Sequence, residues 1–169
     1  LKSEVARSPE ASTQFVAADA RAAQTPEGRK HLTEERRHVA KDAQASTAYV
    51  AVEARAASTP EGRKQLAQLH QALAQDPEAS AAYLAAQAKA ASTPEGRAHV
   101  QALRKQLAAD PEAKAAFESL LAQANTTPEG KEALKELRQQ LAGDSPSGDK
   151  PSTTPEGAGQ PEKTSEKGK

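Results

Sequence analysis

The chain reads as an all-α protein, an α-solenoid-like array of tandem 34-residue helix-hairpin repeats with two 17-residue helices per repeat and a disordered C-terminal tail. Three observations predict this. Thr25, Thr59, Thr93 and Thr127 each open a Thr-Pro-Glu-Gly phrase at a constant spacing, and a fixed period of that length is the mark of stacked supersecondary units. Midway between them Ser8, Asp42, Asp76 and Asp110 open "SPEA", "DAQA", "DPEA" and "DPEA", so a helix-start signal falls at every half-period without a slip. The four aromatic residues of the chain, Phe15, Tyr49, Tyr83 and Phe117, share one position of the repeat.

Each start signal has a physical reason. Ser, Thr or Asp at the N-cap accepts a hydrogen bond from an orphan backbone N–H, Pro suits the first helical position, and Glu sits well at the positive end of the helix dipole. Pro also drives the residue before it out of the helical region, so the previous helix has to stop there. The stretches between signals are Ala, Leu, Gln, Glu, Lys and Arg, the best helix formers. They predict eight rods of 13 or 14 residues, roughly 20 Å each.

In order, residues 1–7 form an N-terminal flank, 8–41, 42–75, 76–109 and 110–143 are four helical-hairpin repeats, and 144–169 is the tail. Counting each cap as zero, the Thr-headed helices carry Leu32, Leu66, Val100 and Leu134 at position 7, and Leu69, Leu103 and Leu137 at position 10, where Glu35 is the exception. Val39, Leu73, Leu107 and Leu141 follow at position 14. With Gly28, Gly62, Gly96 and Gly130 at position 3, this is one helical stripe. The alternate helices carry the rings at position 7, read as structural pegs between helices. Gly costs about 1 kcal/mol in a helix relative to Ala, so four in register imply close approach to a neighbour. From Gly143 the chain is Pro, Gly, Ser, Thr and Lys without a large apolar residue, which cannot repay the entropy of ordering.

Composition bounds the function. Of 61 hydrophobic residues 38 are Ala, so any core is thin and helices have to lie close together. The chain has no Cys, which excludes disulfides and thiolate chemistry. Neither a membrane span nor a signal-peptide pattern is present in the sequence, and a cytoplasmic location is expected. The absence of Met, the Ala richness and the single Asn125 fit the terminal region of a larger bacterial protein.

No nucleophile, metal or phosphate-binding motif stands out, so no enzyme activity, cofactor or metal is expected. His31, His38, His70 and His99 read as solvated surface side chains. The Thr-headed segments carry net +5 and the alternate segments net −5. That asymmetry permits self-association through oppositely charged faces, or an anionic partner such as nucleic acid on a basic layer of Arg29, Lys30, Arg36, Arg37, Arg63, Lys64, Arg97, Arg104 and Lys105. The expected role is a scaffold or protein-interaction module, with nucleic-acid or anionic-surface binding as the alternative. Tetratricopeptide repeats share the 34-residue period but not the residues that define that family.

Overall fold

The computed structural model describes residues 2–143, and the expected tail at 144–169 lies outside them. A short α1 (Lys2–Val5) precedes α2 (Pro9–Ala22), α3 (Pro26–Val39), α4 (Ala43–Ala57), α5 (Pro60–Leu73), α6 (Pro77–Ala91), α7 (Pro94–Ala108), α8 (Pro111–Ala124) and α9 (Pro128–Ala142). Among the described residues there is no strand.

All eight expected caps form. Ser8, Thr25, Asp42, Thr59, Asp76, Thr93, Asp110 and Thr127 are extended, and each side-chain oxygen accepts from the N–H three positions on. In the Thr-headed joints the cap hydroxyl also donates backwards, Thr25 to the Ala22 carbonyl, Thr59 to Ala56, Thr93 to Ala90 and Thr127 to Ala124. The glycine three positions later lies against that same carbonyl. A Cβ built on Gly28, Gly62, Gly96 or Gly130 falls 1.8–1.9 Å from it, so any side chain would force backbone apart. The next residue closes the joint, because Arg29, Arg63 and Arg97 each donate to the following carbonyl of the finished helix, at Ala23, Ala57 and Ala91. Thr-Pro-Glu-Gly-Arg is thus a clasp that starts one helix and satisfies the orphan carbonyls of the one before it.

The 34-residue repeat holds throughout, but its period could not show which helices lie side by side. Consecutive helices touch mainly at their joints, whereas the broad contacts join helices three apart: α2 with α5, α3 with α6, α4 with α7, α5 with α8 and α6 with α9. The ring-bearing helices also meet in sequence, α2 with α4, α4 with α6 and α6 with α8. Hydroxyl contacts recur at a constant offset between helices of this array, with Thr13 3.4 Å from Thr59 and Thr47 3.2 Å from Thr93. α6 lies at the centre, and from Ala79 to Ala91 only Ala85 and Lys89 keep partial exposure. Its small side chains let neighbours approach on all sides.

The stripe and the pegs are inside. Leu32, Leu66, Leu69, Leu73, Val100, Leu103, Leu107, Leu134 and Leu137 are buried, as are Tyr49, Tyr83 and Phe117. Phe15, in the first repeat, is half-buried with its ring edge-on to Tyr49 at 5.7 Å.

Candidate functional site

Two features draw polar residues together, a buried ladder and an open groove. The ladder is built from position 11 of successive segments: Asp19, Arg36, Glu53 and His70, one from each half-repeat in turn. Arg36 is 4% exposed, and its guanidinium reaches Glu53 at 2.8 Å and Asp19 at 3.3 Å. It lies against two pegs, 4.3 Å from the Tyr49 ring centre and 4.9 Å from that of Tyr83. Burial opposes its charge, but Glu53, then Tyr49 and Asp19, more than offset that and raise its pKa.

The Tyr83 hydroxyl donates to the other Glu53 oxygen at 2.8 Å and lies 2.9 Å from His70 Nε2. A hydroxyl has one proton to give, so with Glu53 accepting it the His70 contact needs Nε2–H as donor. Burial first, and the Arg36 charge second, push the His70 pKa down to about 3. The His70 ring continues the stack, 5.0 Å from Tyr83 and 5.4 Å from Phe117, and Arg104 covers Phe117 at 5.4 Å. Tyr49 donates to Glu35 at 2.6 Å, which accounts for the one polar residue at position 10 of the stripe. Burial, then the nearby carboxylates, raise the pKa values of both tyrosines in spite of Arg36.

This corrects two sequence expectations. His70 is fully buried and ring-stacked, so it is no surface histidine, whereas His31 and His38 are exposed and His99 lies 3.7 Å from Glu95. Arg36 likewise leaves the expected basic surface for the interior, because its charge is matched by Glu53 and Asp19 and its faces by two rings. The signal for both was a polar residue recurring at position 11 of the first six half-repeats, from Asp19 to Arg104, beside the apolar stripe.

The remaining candidates of the basic layer divide in two. Arg29, Arg63 and Arg97 are half-buried at the clasps, and Arg104 is half-buried on Phe117. Arg37 holds Glu129 at 2.7 Å and Glu78 at 3.4 Å, which with burial working against them still raise its pKa. Lys30, Lys64 and Lys105 are exposed. Basic and acidic segments face each other across the three-apart contacts, as Arg37 with Glu78 and Arg63 with Asp110 show.

The groove, of about 780 Å³, runs along α4 between the end of α1 and the start of α7. Half-buried Ala48, Ala51 and Ala54 form its floor, and Thr93, Glu95 and His99 one wall. A smaller hollow of about 350 Å³ between α2 and α5 is lined by Gln24, Gln68, Gln71 and Gln75. Among the described residues no three His, Asp or Glu side chains gather as a metal site requires, and no helix is long and apolar enough to cross a membrane. Comparison with known proteins gives no match to a family, to a curated protein or to a solved structure.

Proposed function

We propose that the chain is a non-enzymatic helical-repeat scaffold that binds a protein partner along its open surface. The observation that carries this reading is the alanine-floored groove on α4, a concave surface with apolar floor and polar rim. Its support also comes from where the ionisable groups are spent: Arg36, Glu53, His70 and Tyr83 bond to one another inside the array. Repeat arrays recognise partners through extended faces of this kind. The nucleic-acid alternative draws on Lys30, Lys64 and Lys105 as exposed cations.

Two measurements on the purified chain test the reading. Selection of a displayed peptide library on the immobilised chain is expected to enrich amphipathic helical sequences whose capture is lost in Ala51→Arg. Titration with duplex DNA at about 50 mM salt is expected to give no saturable binding. Failure to enrich any sequence, or tight DNA binding that falls steeply with salt, would overturn it.

A further inference from the structure

The contacts that hold the array together repeat with its sequence, and a repeated contact does not say which repeat belongs where. Ala11-Ser12-Thr13 and Ala20-Arg21-Ala22-Ala23 of α2 recur letter for letter in α4 as Ala45-Ser46-Thr47 and Ala54-Arg55-Ala56-Ala57, and the clasp at 25–30 recurs at 59–64. The bonds recur as well. Thr13 meets Thr59 as Thr47 meets Thr93, and Ser46 donates to the Val39 carbonyl as Ser80 does to that of Leu73. If α2 sat one repeat out of register, against α7 instead of α5, it would find Thr93 in place of Thr59. It would also find Val100, Leu103 and Leu107 in place of Leu66, Leu69 and Leu73.

The polar ladder is where the repeats stop being interchangeable. From α2 to α6 position 11 reads Asp19, Arg36, Glu53, His70 and Gln87, no two alike. Five consecutive helices enter one network, since Arg36 of α3 bonds Asp19 of α2 and Glu53 of α4, and Tyr83 of α6 joins Glu53 to His70 of α5. Two further departures from the repeat attach to it. Glu35, where the other repeats have Leu, accepts from Tyr49, and only the two middle rings carry a hydroxyl.

A slip of one repeat breaks this network at every member. His70 in the seat of Arg36 would leave Asp19 and Glu53 without a guanidinium. Gln87 in the seat of Glu53 would take from Arg36 its nearer carboxylate, and Phe117 in the seat of Tyr83 would bring no hydroxyl. A buried charge that loses its partner is strongly destabilising, even where the intact pair contributes little. Single buried polar residues fix register in other repetitive helical interfaces for the same reason.

We propose that the ladder is the register key of the array. It assigns each helix to its own seat and bars the out-of-register stacking, within one chain or between copies, that the repeated contacts would accept. The inference is independent of the scaffold reading.

The chain has no cysteine, so introduced pairs can report the seating. Thr13→Cys with Thr59→Cys marks the native seat, where the two hydroxyl oxygens lie 3.4 Å apart. Thr13→Cys with Thr93→Cys marks α2 seated one repeat along. Each pair is placed in the full chain with the ladder intact, and in a chain with the ladder erased by Asp19→Leu, Arg36→Met, Glu53→Leu, His70→Leu and Tyr83→Phe. The chains are unfolded in urea, refolded by dilution and oxidised, and the bridged fraction is read by mass spectrometry. With the ladder intact the native pair should bridge and the slipped pair should not. Erasing the ladder should raise bridging of the slipped pair by at least about tenfold. Leu66→Ala, which weakens the core and keeps the ladder, should leave the slipped pair unbridged. If the five changes together abolish helicity, Arg36→Met with Glu53→Leu takes their place. Equal bridging of the slipped pair with and without the ladder overturns the inference. So does bridging in Leu66→Ala that matches the erased chain, because lost stability would then be the cause.

Discussion

The Tyr83 hydroxyl is bound from both sides, donating to Glu53 at 2.8 Å and lying 2.9 Å from His70 Nε2, with all three side chains at 1% exposure or less. From sequence alone Tyr83→Phe would be a mild change, since the ring is kept. The structure predicts otherwise, because deletion of the hydroxyl strands a buried carboxylate oxygen and a buried N–H, a loss of about 1–3 kcal/mol. Tyr83→Ala should cost more, about 3–5 kcal/mol, by also leaving a cavity. Urea melts of both variants check this, and a midpoint for Tyr83→Phe equal to the parent would contradict it.

His70 makes stability depend on pH. Its folded pKa of about 3 lies below its ordinary 6.5, so the unfolded chain takes up a proton at pH values where the folded one does not. The stabilisation is complete above about pH 6.5 and is lost as pH falls towards 3. Between pH 7 and pH 5 the loss should be about 2 kcal/mol. His70→Gln should flatten that part of the profile, measured by denaturant unfolding at each pH.

The clasp glycines should resist replacement. Gly62→Ala gains up to about 1 kcal/mol in helix propensity, but its Cβ would stand 1.9 Å from the Ala56 carbonyl oxygen. A net loss of at least about 2 kcal/mol is expected, since backbone has to move. Gly143→Ala is the control: its Cβ would meet nothing nearer than 3.7 Å and the backbone there is helical, so it should be neutral or stabilising by about 0.5 kcal/mol.

Two neighbouring arginines should behave differently. Arg36→Met removes the partner of buried Glu53 and should cost about 3–5 kcal/mol. Arg37→Met breaks an exposed pair with Glu78 and a half-exposed one with Glu129 and should cost under about 1 kcal/mol. Thermal melts in low and high salt separate them, because salt should narrow the effect at Arg37 and leave that at Arg36.

The local design was legible because it is written locally. Every expected cap, the starts of α2 to α9 and the crowding at the clasp glycines follow from residues within one joint, such as Thr59, Pro60 and Gly62, whereas α1 lies in the expected flank. The side-by-side arrangement was not, since a strict period says how often a helix recurs and nothing about whether it rests on its next neighbour or on one further along. The interior polar ladder was hidden for a different reason. Arg36 and His70 are residue types normally assigned to water, and only their shared position, between the rings of Tyr49, Tyr83 and Phe117, makes burial favourable. The groove on α4 was invisible because its alanines are the same residues that line buried faces elsewhere.

Seating each helix on the one three places back has a consequence for how such a chain can lengthen. Three is odd, so every seat joins a ring-bearing segment to a Thr-headed one. Duplicating or losing a single segment would mismatch the three seats that span the change, setting ring against ring and clasp against clasp there. Adding or removing segments in pairs preserves the match. The unit of heritable growth is therefore the pair, and parity is what keeps the Thr-Pro-Glu-Gly spacing free of slips.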